Sequence, residues 1–326
     1  MKIAVLDDYQ EAFHRLGCAA RLNGHHVVVF HDNEKDVGKI ADRLKDVEGV
    51  ILTQERTAFP RQLIERLPRL RIIAHTGSHR KHIDISACTE KGIVVAGVVH
   101  GASHSTVELT WALILASLRH IPDEVRQLKA GAWQTTIGTV LHGKTLAIYG
   151  LGKIGSCVAQ VGSAFGMKVT CWGRASTAAK AAAAGFHVPE SRKAFFESAD
   201  VLSLHVRLSA ETTGVVTAAD LDCMKPSALI VNTSRARLIQ GGALVEALKK
   251  GRPGFAAVDV FEDEPVLGGD HPLLKMLNVI CTPHLGGIVW ETFEFMYGHA
   301  IDNILAFASN NAINVLNPDV LARLRK

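Results

Sequence analysis

The sequence predicts an α/β protein built from two doubly wound parallel-sheet units, and three observations carry that prediction. Short β-rich apolar runs alternate with helically spaced segments from the first residue. The alternation is interrupted by a long apolar helical stretch near 103–120 and then begins again. At 326 residues, with 48% hydrophobic and 21% charged content, the chain has the length for two domains and the apolar material for their cores.

In the first series KIAVLDD, HVVVF, GVILT, RIIAHT and GIVVAGV read as strands. Segments between them, such as AFPRQLIERLP, carry helical spacing, and this alternation favours a parallel sheet with helices on both faces. SHSTVELTWALILASLRH reads as a helix, with Ser103 or Ser105 as its N-cap. The second series runs through TLAIYGLG, KVTCWG, VLSLHV, ALIVNTS, GFAAVDVF and VICTPH, and the Ala-rich AAKAAAAG is helical. ETFEFMYGHAIDNILAFASN closes the chain as an amphipathic helix with no strand after it. Such a helix is expected to pack back on the first unit. The expected division is therefore residues 1–98 with 290–326, and residues 99–289.

Composition excludes several function classes. The net charge of +4 comes from scattered Lys and Arg, with no dense basic run for nucleic acid. The six cysteines form no CxxC pair and sit among apolar residues. They point to a reducing compartment, without disulfides or a zinc site. MKIAVLDDYQ places acids straight after a short apolar run and fails as a signal peptide. LTWALILASL is too short to span a bilayer, so a cytoplasmic protein with no membrane partner is expected.

One stretch carries chemistry by itself. LAIYGLGKIGSCVAQVGSAFGMKVTCWGRAS holds Gly150-x-Gly152-x-x-Gly155 after a strand and at the head of a helix, with another strand next. In that unit backbone N–H groups and a helix N-terminus hold a pyrophosphate. The pattern also predicts an acid about 20 residues on, to bond a ribose 2′-hydroxyl. Gly173, Arg174, Ala175 and Ser176 stand there instead. A guanidinium would favour a 2′-phosphate, with Ser176 as a further donor, so NADP is favoured over NAD. The plainer reading leaves Arg174 as a solvated loop residue and the pocket tolerant of either cofactor.

Later segments give the chain a family likeness. VNTSRARLIQ (231–240), AAVDVFEDEPV (256–266) and TPHLGG (282–287) follow the glycine turn in order, alongside ELTWALIL, ADVLSLHVRLSAETTG and the D-H-P-L stretch at 270–273. Together they resemble the D-isomer-specific 2-hydroxyacid dehydrogenase family, over most of the chain. The resemblance implies a flavodoxin-like catalytic domain and a Rossmann nucleotide-binding domain with a cleft between them. It implies catalytic roles for Arg235, Glu264 and His284. The residue types suit the chemistry: an imidazole titrating near neutrality for the proton, a carboxylate to orient it, and a guanidinium fork for the substrate carboxylate. Asp259 resembles the residue near the nicotinamide amide, and His205 and Thr212 lie in what resembles the adenine-side wall. Lys153 and Ile154 in the turn, with Thr233 and Gly286, complete the expected cofactor contacts.

The substrate loop departs from the family's pattern. Gly77-Ser78-His79-Arg80-Lys81-His82-Ile83-Asp84 keeps the first glycine and the Ile-Asp pair, but His79 replaces the second glycine. Gly77, Ser78 and His79 are the expected substrate contacts. The added cations suit a second anionic group on the substrate, or simply a basic solvent-facing loop. Histidines at 75, 79 and 82 lack companion acids or thiols, so no metal is expected. After Arg235, Ala236 replaces a usual glycine, which requires a negative φ there.

The leading expectation is an enzyme that passes a hydride between NADPH or NADH and a small 2-keto or D-2-hydroxy acid. The alternative is a dinucleotide-sensing regulator on the same fold, without turnover. Another dehydrogenase of this architecture, such as a formate dehydrogenase, would need a differently furnished substrate loop. The resemblance further implies a homodimer, for which the apolar helix at 103–120 is the expected interface.

Overall fold

A computed structural model describes residues 1–77, 80–97 and 104–324. The chain divides into two compact units, Met1–Ala102 with Val289–Lys326, and Ser103–Ile288.

The first unit holds β1 (Lys2–Val5), β2 (His26–Val29), β3 (Gly49–Leu52), β4 (Ile72–His75) and β5 (Val94–Ala96). They form one parallel sheet in the order β2-β1-β3-β4-β5. Strands β3, β4 and β5 are buried along their whole length, as parallel strands covered on both faces must be. This explains why they read as continuous apolar runs rather than alternating ones. Ala4, Val50, Ile73 and Val95 meet Leu44, Leu63 and Ile64 in one core. The helix Trp290–Ala308 adds Phe293, Tyr297, Ile301 and Ile304 at helical spacing, all buried. It is fixed by polar bonds as well: Glu294 accepts the Gly17 and Cys18 N–H groups, and Tyr297 Oη meets Thr53 Oγ1 at 2.8 Å.

The second unit holds β6 (Thr145–Tyr149), β7 (Lys168–Trp172), β8 (Val201–Leu204), β9 (Leu229–Asn232), β10 (Phe255–Val258) and β11 (Val279–Cys281). Its sheet is also parallel, in the order β11-β10-β9-β8-β6-β7. In each sheet the chain runs outward from one strand and then crosses to that strand's other side. Ligands bind outside the carboxyl ends of the strands at such switch points, here between β1 and β3 and between β6 and β8.

Two sequence expectations change on the long helix. It spans His104–Leu118, so Ser105 lies inside it rather than capping it, and Ser103 falls outside the described residues. Nor does the helix offer a free apolar face. Val107, Trp111, Leu113 and Ile114 are buried with Leu146 and Val158 in the unit's own core. Its exposed stripe is His104, Glu108 and Ala112, which holds no large apolar side chain. The exposed apolar surface comes directly after it: Ile121, Val125 and Leu128 on the helix Ile121–Lys129, then Trp133, Ile137 and Val140.

Candidate active site

The glycine turn leaves β6 and enters the helix Lys153–Ala164, with Gly152 as its N-cap and Lys153 as its first residue. Gly150 has φ +94°, a left-handed conformation that favours glycine. A Cβ on Gly155 would strike the Gly150 carbonyl oxygen, so the third glycine lets the helix close against the turn. Gly152 differs: its backbone is extended and a Cβ there would meet nothing of the protein. No internal packing demands that glycine, but a pyrophosphate seated on the helix N-terminus does. The turn therefore fits a dinucleotide. Ile154 packs against the core behind it. His205 follows β8 on the other side of the switch point. Its Nε2 lies 2.8 Å from Ser203 Oγ, and burial pushes its pKa down to about 4, so the ring stays neutral.

Beyond β7, Gly173 precedes Arg174, the N-cap of the helix Ala175–Ala183, with Ser176 in its first turn. No acid occupies that turn. The Arg174 guanidinium is 76% exposed and lies 4.0 Å from Glu211, itself 84% exposed, a contact that solvent largely screens.

Arg235 stands in the turn after β9. Asn232 shapes that turn, donating from Nδ2 to the Arg235 carbonyl and accepting the Ser234 N–H. Ser234 Oγ donates to the Val206 carbonyl, and Arg235 Nη1 donates to the Ser234 carbonyl at 2.7 Å. Ala236 opens a short 3-10 turn, Ala236–Leu238, so the position that glycine often fills needs no positive φ.

Asp259 follows β10 and is fully buried. Its Oδ1 accepts the Thr282 hydroxyl at 2.6 Å and the Leu285 N–H at 2.7 Å, and its Oδ2 accepts the Gly286 N–H at 2.9 Å. Burial raises its pKa against the pull of those bonds. Thr106 Oγ1 donates to the Gly286 carbonyl from the other side. Residues 282–286 are thus held in place, although His284 adopts φ +54°, a strained conformation for a residue with a Cβ. Its ring reaches Glu264, with Nδ1 2.6 Å from Oε2, while Oε1 accepts the Phe261 N–H. A carboxylate only accepts, so Nδ1 carries the hydrogen of this bond. Both side chains are about a third exposed, at 31% and 33%. Burial opposes the Glu264 charge, but the bond to and charge of His284, the Phe261 N–H and the charge of Arg235 together hold its pKa below the usual carboxylate value. Arg235, Glu264 and His284 are therefore within electrostatic reach of one another.

Other expected site residues are placed differently. The Thr212 hydroxyl is spent within its own loop, donating to the Arg207 carbonyl and accepting the Ser209 N–H. Thr233 Oγ1 is buried against Thr110 Oγ1 at 2.8 Å, joining β9 to the 104–118 helix. Neither hydroxyl is presented for a cofactor. Gly77 donates its N–H to His75, and Ser78 and His79 fall outside the described residues. Sequence reasoning missed Asn232 and Thr106 altogether, and it gave Asp259 a ligand's role rather than a loop's anchor. Among the described residues, no group of three or more His, Cys, Asp or Glu side chains could hold a metal.

A glycine turn at the switch point of a parallel sheet, with an imidazole–carboxylate pair and an arginine on the same unit, defines a nicotinamide-dependent oxidoreductase. The sequence pattern of the D-isomer specific 2-hydroxyacid dehydrogenase NAD-binding domain matches residues 111–286, and the chain belongs to that family. A glyoxylate reductase of Aeropyrum pernix is 36% identical over 269 residues, 79% of this chain and 80% of that one. A D-3-phosphoglycerate dehydrogenase of Methanocaldococcus jannaschii is 38% identical over 78% of this chain, a match that spans only 48% of that longer protein. A solved oxidoreductase from Ralstonia solanacearum superposes with a TM-score of 0.94 at 50% identity, over 98% of both chains. The protein is thus an enzyme of the 2-hydroxyacid dehydrogenase class, with a nicotinamide as cofactor.

The depressed Glu264 pKa has a direct consequence. The stability of the Glu264–His284 pair is present above the unfolded value of about 4.3 and is lost as pH falls through the lower folded value. Carbon-13 spectra of the carboxyl should show Glu264 titrating below about 4.3 in the native protein and moving up in His284→Ala. A native titration at or above that value would contradict the pairing.

Proposed function

We propose that this protein reduces small 2-keto acids to D-2-hydroxy acids, reversibly, with NADPH preferred over NADH. The observation that carries the reading is the 2.6 Å Glu264–His284 pair, with Arg235 in electrostatic reach, on the unit that bears the glycine turn. Gly150, Gly152, Lys153 and Gly155 would hold the pyrophosphate, and His205 and Ile154 would wall the nucleotide. When bound, the nicotinamide supplies the hydride. Arg235 grips the substrate carboxylate and polarises the ketone, as a forked cation does best. Glu264 holds the His284 ring by its Nδ1–H, and Nε2–H donates to the ketone oxygen as it becomes an alkoxide. Oxidation of the hydroxy acid runs the same steps backward, with Nε2 accepting the proton.

The second unit is then the nucleotide-binding domain, and the first, with Gly77 at the start of its loop, the substrate domain. Relatives named for glyoxylate and for 3-phosphoglycerate support a small 2-keto acid with one or two anionic groups. Six free thiols suit a reducing cytoplasm.

NADPH preference rests on the end of β7. A 2′-phosphate placed there would meet the first-turn N–H groups of the Ala175–Ala183 helix, the Ser176 hydroxyl and the Arg174 guanidinium, with no acid in the turn to repel it. Steady-state reduction of a keto-acid panel should therefore be faster with NADPH than with NADH, and Arg174→Asp should reverse the order. Equal use of both would make Arg174 a bystander. Cofactor binding without turnover of any keto acid would instead support a dinucleotide-sensing regulator.

A homodimer follows from the exposed apolar surface at 121–140 rather than from the buried helix before it. Ile137 is 94% exposed and Trp133 75%, more than a lone chain ordinarily leaves in water over so short a stretch. Light scattering should give twice the 35.2 kDa chain mass, and Ile137→Asp should shift the protein toward monomer. A monomeric native protein would refute this.

A further inference from the structure

The helix His104–Leu118 carries two threonines one turn apart, Thr106 and Thr110, and both hydroxyls are engaged. Thr110 is fully buried, so no reactant reaches it. Its Oγ1 lies 2.7 Å from the Thr106 carbonyl oxygen and 2.8 Å from Thr233 Oγ1. A carbonyl only accepts, so the one Thr110 hydroxyl hydrogen goes to Thr106. The bond to Thr233 must then run the other way, with Thr233 donating and Thr110 accepting. Thr106 in turn donates from Oγ1 to the Gly286 carbonyl at 3.0 Å.

A threonine that bonds the carbonyl four residues back is an ordinary helix feature. Here the same oxygen also receives a hydroxyl from the end of a strand, and the links join end to end: Thr233, Thr110, Thr106, Gly286. Gly286 is held from its other side as well, its N–H given to Asp259 Oδ2. A Cβ on Gly286 would lie 3.3 Å from that Oδ2 and 3.4 Å from Thr106 Oγ1, crowding both bonds. Arg235 stands two residues beyond Thr233, and His284 two residues before Gly286. The chain of bonds therefore runs from the turn that bears the arginine to the loop that bears the histidine.

We infer that Thr110 and Thr106 are positioning residues, which hold the Arg235 turn and the His284 loop at one fixed separation. This deepens the keto-acid reductase reading and rests on it. In that reading Arg235 polarises the ketone while His284 protonates it, so both act on one oxygen. An error in their relative placement then falls on the chemical step. The glycine turn at 150–155 has no part in the chain of bonds, so the seating of the cofactor does not depend on it.

Variants of the two threonines test this in the full chain. The kcat for a keto acid is read at saturating NADPH, and the NADPH Kd by equilibrium titration. Thr110→Val and Thr106→Val keep the side-chain shape without the hydroxyl, whereas Thr110→Ser keeps the hydroxyl. Thr110→Val should lower kcat about fivefold, the worth of one ordinary hydrogen bond, with the NADPH Kd within about twofold of native. Thr110→Ser should bring kcat back to within about twofold of native. Thr106→Val should match Thr110→Val, and the double variant should lose no more than either alone, because each cuts the same chain. Independent roles would instead multiply to about 25-fold, which would overturn the inference. So would an unchanged kcat in folded Thr110→Val, or a rise in the NADPH Kd in step with the loss of kcat. Absence of turnover in the native enzyme would remove the reductase reading and this inference together, whereas native turnover with an indifferent Thr110→Val would remove the inference alone.

Discussion

Asp259 accepts three hydrogen bonds from a single loop, and the chemistry proposed for this protein depends on that loop. Thr282, Leu285 and Gly286 are bound from the carboxyl end of β10, so the residue between them, His284, is held at a positive φ it would not otherwise adopt. From that conformation its Nδ1 reaches Glu264. The carboxylate is fully buried, and burial penalises its charge. Hydrogen bonds from the loop compensate, which makes loop and carboxylate interdependent. Removing either would leave the other with unmet polar groups in a dry place.

The same economy recurs at the other strand ends. Asn232 at the end of β9 bonds both sides of the turn that offers Arg235, and His75 at the end of β4 bridges two turns through one ring. In each case a buried polar side chain at a strand terminus fixes the turn that follows. Parallel sheets favour this arrangement because all strand ends on one edge point the same way. The glycine turn after β6 is the exception in kind: it presents backbone rather than a side chain, and it needs an absent Cβ where the others need a hydrogen bond.

Much of this was legible in the sequence, for identifiable reasons. Among the described residues the eleven apolar runs became eleven strands, and the central ones were nearly continuous because both of their faces are covered. Gly150, Gly152 and Gly155 could be read because their spacing is local and their backbone demands are strict. Family likeness pointed to Arg235, Glu264 and His284, and the structure brings the last two into contact across 20 residues of sequence. The anchoring bonds were not legible. Asp259 reaches residues 23 to 27 positions away, and Thr106 reaches Gly286 across 180. No spacing rule reports partners that only the folded sheet brings together. The hydroxyls of Thr212 and Thr233 misled for the same reason, since their internal partners are tertiary. The long helix misled as well. Its apolar residues could be read from the sequence, but that the unit's own core takes them up could not, because their partners Leu146 and Val158 are tertiary.

Steady-state reduction of a keto acid by His284→Ala tests the account most directly, with NADPH binding measured alongside. The account predicts a loss of about 10²- to 10⁴-fold in kcat, the usual contribution of a positioned general acid, with NADPH affinity unchanged. Turnover close to that of the native enzyme would contradict it, because the proton would then come from elsewhere and the Asp259-anchored loop would have no part in the chemistry.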